Sequence, residues 1–114
     1  MGGRMASYVA DSDRVKGLIF LGYPLHPPGK TDRLRDEHLY SIRKPMLFLS
    51  GTRDPFARKD LLERTLAKIG RYATLHSVED GGHSLDVPRK SGRTQQEILD
   101  GAVHAILLWL EKTL

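Results

Sequence analysis

Two short apolar runs limit what this chain can fold into. VKGLIFLGYP spans residues 15–24 and is stopped by Gly22 and Pro24; KPMLFLSG spans residues 44–51, entered by Pro45 and closed by Gly51. A half-exposed strand alternates apolar and polar side chains. These runs are apolar almost throughout, which suits strands buried on both faces of a parallel sheet. A third, shorter strand is expected at RYATLHSVED, residues 71–80.

Helical patterns accompany the strands. In TRDPFARKDLLERTLAKIG, the residues Leu61, Leu62, Thr65, Leu66 and Ile69 recur at helical spacing. Asp54 reads as the N-cap of this helix, Pro55 as its first residue and Gly70 as its C-terminal stop. QQEILDGAVHAILLWLEKTL closes the chain as an amphipathic helix with Ile98, Leu99, Ala102, Ile106, Trp109 and Leu110 on its apolar face. A short helix rich in small residues is expected over residues 1–10, and a helical turn over residues 34–41. LHPPGKTDRL and DGGHSLDVPRKSGRT read as loops. Strands alternating with helices predict an α/β layer structure around a mostly parallel sheet. With no repeat, low-complexity segment or linker, residues 1–114 read as one structural unit.

In such a sheet, functional residues sit in the loops that leave the carboxyl ends of the strands. That rule singles out Tyr23 to Lys30, Thr52 to Phe56 and Asp80 to Pro88. Asp54, in GTRDPFA, follows one buried strand, and His83, in EDGGHSL, follows the next. Both side chains can therefore reach the same edge of the sheet. A carboxylate that accepts a hydrogen bond from an imidazole fixes its tautomer and stabilises its charged form. The imidazole can then take a proton from a nucleophile. Gly81 and Gly82 let the backbone turn sharply and present the ring. Taken singly, each residue has a plainer role, Asp54 as a helix cap and His83 as a turn residue. Their order and topology together favour the pair.

Composition narrows the function classes. The 114 residues are 39% hydrophobic and 28% charged, a globular balance, and no apolar run is long enough to cross a bilayer. MGGRMASYVADSDR lacks the apolar block of a signal peptide. There is no cysteine, which excludes disulfides, a thiol nucleophile and cysteine-ligated metals, and a cytoplasmic setting is expected. The net charge of +4 is carried by scattered basic residues, not a concentrated basic face, so nucleic-acid binding is not expected. No His/Asp/Glu cluster has metal-ligand spacing, and GYPLHPPGK lacks the spacing and ending of a phosphate-binding loop. Neither a metal nor a cofactor is expected.

PMLFLSGTRDPFA, then a helix, then LHSVEDGGHSL, then a final helix resembles the C-terminal half of an α/β-hydrolase. In that fold the triad runs in the order nucleophile, acid, histidine. The resemblance implies a partial, three-layer α/β-hydrolase fold with the equivalents of strands 6–8, Asp54 as the acid and His83 as the base. GLIFLGYPLHPPGK further resembles the dienelactone-hydrolase-like, KANL and testis-expressed-protein-like subgroup. By that resemblance Tyr23 and His26 border a substrate pocket. MGGRMAS is similar to the part of a nucleophile elbow, G-x-S-M-G-G-R, that follows the serine.

On that resemblance the serine lies one position before Met1, and residues 1–114 are the C-terminal portion of a single hydrolase domain. The Met1 nitrogen then stands where one oxyanion-hole donor is expected. Ser7, Ser50 and Ser84 show no elbow pattern and read as structural. The implied activity is hydrolysis of a small-molecule ester or acyl substrate by the full-length protein, with this chain inactive alone. A non-catalytic binding or scaffold module is the alternative, and no membrane partner is expected. The first strand, Val15 to Leu21, would present an open apolar edge through which the chain self-associates.

Overall fold

The computed structural model of the chain describes residues 16–83, Leu85, Gly92 and residues 94–113. The helix expected over residues 1–10, the Met1 nitrogen, Ser7 and Ser84 lie outside the described residues.

The apolar runs form neighbouring strands. β1 is Leu18–Leu21 and β2 is Met46–Gly51. They pair in parallel, with Phe20 opposite Phe48. β3, Ala73–Val78, adds to the other side of β2, also in parallel, giving the order β1-β2-β3. β2 is thus the central strand, and all six of its residues are buried. An unbroken apolar sequence is what a strand covered on both faces requires.

Two α-helices flank this sheet, α1 at Lys59–Ile69 and α2 at Gln95–Thr113. α1 turns Leu61, Leu62, Thr65 and Leu66 inward. They pack on the face of the sheet that carries Leu18, Phe20, Met46 and Phe48. The Phe20 and Phe48 rings stack at 4.7 Å, and Tyr23 meets both edge-on. The connection between β1 and β2 closes the same face with Leu25, Leu39 and Ile42. It holds a 3-10 turn at Glu37–Ser41, where a helical turn was expected. α2 covers the opposite face through Ala102 and Trp109, which pack against Leu47 and Leu49. The result is three layers with a parallel sheet in the middle.

Three local expectations are corrected. β1 is not buried on both faces: Ile19 is 37% and Leu21 65% exposed, because among the described residues β1 has a strand on one side only and α2 covers that face only in part. Leu99, assigned to the apolar face of α2, is 53% exposed, while Ile98, Ala102 and Trp109 of that face turn inward. α1 begins at Lys59, not at Pro55. Asp54 and the three residues after it form a turn instead, closed by a hydrogen bond from Ala57 N–H to the Asp54 carbonyl. Gly70 ends α1 as expected, with a φ of 80° that few other residues adopt readily.

Candidate active site

The loops after the three strands converge at the carboxyl edge of the sheet. The chain leaving β2 is held by hydrogen bonds from Thr52 N–H to the Val78 carbonyl and from Arg53 N–H to the Gly81 carbonyl. In return, Asp80 N–H donates to Thr52 Oγ1, and Arg53 pairs with Asp80 across 3.1 Å. Gly22, at the end of β1, donates its N–H to the Leu49 carbonyl. Each strand tip is thereby fixed to its neighbour.

Two glycines make room for this nesting. A Cβ on Gly51 would collide with the carbonyl of Gly81. A Cβ on Gly22 would collide with the carbonyl of His83, and Gly22 also has a φ of +66°. The sequence marks both as strand stops. The structure shows that their missing side chains let the β3 loop lie directly over the ends of β1 and β2. Within that loop Asp80 and Leu85 have positive φ, 61° and 65°. For Leu this is a strained conformation, held by its surroundings on one side of His83.

Asp54 and His83 are brought together. His83 Nδ1 lies 3.0 Å from Asp54 Oδ2 and 3.2 Å from Oδ1. The Asp54 side chain is fully buried and that of His83 is 37% exposed. A buried carboxylate needs hydrogen bonds to replace its lost hydration, and Asp54 receives a second one from Phe56 N–H to Oδ1 at 2.8 Å. An ionised carboxylate only accepts, so His83 Nδ1 carries the proton. In the neutral ring Nε2 then has a lone pair, and it has no hydrogen-bond partner among the described residues. Phe56 also packs its ring on that of His83, with centroids 4.4 Å apart. Sequence reasoning placed Phe56 at the end of the acid's loop but assigned its ring no role. Its only signal is an aromatic residue two positions after the candidate acid.

Tyr23 and His26 are placed inside the protein and engaged there. Tyr23 is 2% exposed; its hydroxyl donates to the Arg35 carbonyl at 2.8 Å and lies 3.0 Å from His38 Nε2. His26 is also 2% exposed. Its Nδ1 is 2.9 Å from the Pro27 carbonyl, and its Nε2 accepts from Arg58 N–H at 2.9 Å. A carbonyl only accepts and an amide N–H only donates. The ring is therefore neutral with the proton on Nδ1, and both nitrogens are spent on main chain.

Ser50, on the face of β2 that α1 covers, is buried with no hydrogen-bond partner for its Oγ. That face is opposite to the one on which α2 packs.

Two depressions border the pair. One, of about 500 Å³, runs from His83 between Leu21 and Leu85 to Ile98, Leu99 and Val103 of α2, and is apolar apart from His83 and Gln95. The other, of about 650 Å³, is lined by His26, Asp54, Arg53, Arg58, Lys59 and Glu63 among others, so His26 borders a depression as expected while its ring nitrogens face main chain. The arginines there are already paired, Arg53 with Asp80 and Arg58 with Asp60. Arg58 holds the exposed Asp60 carboxyl down to about 2 by a forked hydrogen bond. Among the described residues no group of three or more His, Asp or Glu is arranged to hold a metal ion, and no helix is long and apolar enough to cross a membrane.

A parallel sheet between two helical layers, with a carboxylate and an imidazole meeting over its carboxyl edge, defines a hydrolase-like α/β domain. Comparison with models of known families matches residues 1–111 to the family described as Alpha/beta hydrolase domain. The chain belongs to that family.

Proposed function

We propose that Asp54 and His83 are the acid and the general base of a serine-dependent ester or acyl hydrolase. The reading rests on one observation: a buried carboxylate holds the Nδ1 proton of a partly exposed imidazole, leaving Nε2 with its lone pair. The likeness of MGGRMAS to the residues that follow the serine in a nucleophile elbow supports a serine hydroxyl as the third member. The likeness of GLIFLGYPLHPPGK to the dienelactone-hydrolase-like subgroup supports the same reading.

The steps follow from the pair's chemistry. His83 Nε2 takes the hydroxyl proton as the serine oxygen attacks the acyl carbonyl. The negative charge on the tetrahedral oxygen is met by backbone N–H groups, one of them at residue 1. Nε2–H then protonates the departing alcohol, and an acyl-enzyme remains. Water attacks that ester while Nε2 takes its proton, and collapse of the second tetrahedral species returns the proton to the serine. Asp54 stays ionised throughout and stabilises the imidazolium.

A serine-reactive fluorophosphonate probe on the protein carrying that serine tests the proposal. Labelling is expected in the wild type and is expected to disappear in His83→Ala. Absence of labelling in every form would favour a non-catalytic binding or scaffold module.

A further inference from the structure

His26 is the one buried histidine whose ring hydrogen-bonds only to main chain, and the place where it does so is the turn that carries Asp54. That turn runs from Asp54 to Arg58 and is held at both ends. At its start, Asp54 accepts Ala57 N–H on its carbonyl and Phe56 N–H on its carboxylate. At its end, Arg58 is the N-cap of α1 and has no capping hydrogen bond from its own side chain. A helix start leaves its first N–H groups without partners. Here the acceptor for Arg58 N–H comes from His26, 32 residues earlier in the sequence. The main chain of His26 adds a third link, its N–H donating to the Phe56 carbonyl at 2.9 Å.

We infer that His26 is a positioning residue for the Asp54–His83 pair. Its imidazole sets where the Asp54 turn meets α1, and so sets both the carboxylate and the Phe56 ring that packs on His83. This inference rests on reading Asp54 and His83 as acid and base. It does not require His26 to touch substrate, and its two committed nitrogens leave it no lone pair or proton for one. The tautomer is essential. Nε2 must be bare to accept Arg58 N–H while Nδ1 donates to Pro27, and a side chain without that donor–acceptor arrangement cannot bridge the two.

The test is the nitrogen-15 spectrum of the His83 ring in the 114-residue chain, at a pH where the ring is neutral. Wild type is expected to show His83 protonated at Nδ1. A wild-type ring protonated mainly at Nε2 would defeat the acid–base reading itself, separately from this inference. With the wild-type signature in place, His26→Ala is expected to lose it and His26→Gln to regain it, because a Gln oxygen can accept Arg58 N–H. The backbone amide spectrum of β1, β2 and β3 is expected to stay dispersed in all three. If His26→Ala does not fold, Arg58→Pro takes its place. Proline suits the φ of −58° at that position and removes the N–H that the imidazole accepts, and Arg58→Ala, which keeps that N–H, controls for the lost Arg58–Asp60 ion pair. Loss of the Nδ1–H signature in that variant supports the inference. An unchanged His83 signature in a folded His26→Ala or Arg58→Pro variant overturns it.

Discussion

The two faces of the sheet are finished to different degrees. On the α1 face, Phe20, Leu25, Leu39, Met46 and Phe48 are all at most 1% exposed, and a turn, a connection and a helix close over them. On the α2 face, Leu47 and Leu49 are as deeply buried, but Ile19, Leu21, Leu99, Val103, Leu107 and Leu108 are 37–65% exposed. Leu99, Val103 and Leu107 recur every four residues and so form one stripe along α2. The closed face supports the loop that carries Asp54, and the open face runs up to His83 through Leu21 and Leu85. The acid is therefore anchored in the best-packed part of the molecule, and the base borders its least covered part.

Substitutions on the two faces sharpen that contrast, beginning with the largest effect. Phe48→Ala removes a stacked, 1% exposed ring and is expected to lower unfolding free energy by about 3–5 kcal/mol, read by chemical denaturation. The corresponding change on the open stripe, Leu107→Ser, is expected to shift stability by no more than about 0.5 kcal/mol. Equal losses at the two positions would contradict the comparison.

Exposed apolar stripes of this length are uncommon in a stable monomer. Among the described residues no element packs over this stripe, and we propose that copies of the chain associate through it and the outer side of β1. Sedimentation is expected to show a concentration-dependent species larger than the monomer. The double variant Val103→Lys with Leu107→Lys is expected to return it to monomer. Monomeric wild type at every concentration would contradict the proposal.

The smallest effect lies at the rim of the closed face, where Tyr40 donates to Asp36 at 2.6 Å. Burial, together with that hydrogen bond and the nearby carboxylate charge, pushes its hydroxyl up to about 12 from an ordinary 10. The folded state thus binds this proton more tightly than the unfolded state. The contribution is complete below pH 10 and is lost as the pH rises from 10 towards 12. Tyr40→Phe is expected to flatten the alkaline end of the stability curve over that interval.

The strand–helix alternation was legible because a buried central strand leaves an unmistakable record. MLFLSG is apolar almost to its end, and the structure buries all of it. Asp54 and His83 were legible for a topological reason, since loops after successive parallel strands emerge on one edge. What stayed hidden depends on contacts distant in sequence. Asp54-Pro55 has the composition of a helix start, yet the helix begins at Lys59, because the N–H of Arg58 finds its acceptor on His26. No local pattern around residue 58 announces that partner. His26 and Tyr23 were assigned to the right loop, but sequence position does not reveal that both side chains turn inward. Periodicity showed which residues of α2 are apolar, and could not show that only part of the helix circumference has a neighbour.

The most direct test is the ring nitrogen spectrum of His83 in the wild-type chain and in Asp54→Ala. The pairing predicts a neutral His83 with its proton on Nδ1 and a strongly downfield Nδ1–H resonance. Both features should vanish when the carboxylate is removed while the sheet amides remain dispersed. A His83 ring protonated at Nε2 in the wild type, or one indifferent to the loss of Asp54, would contradict it.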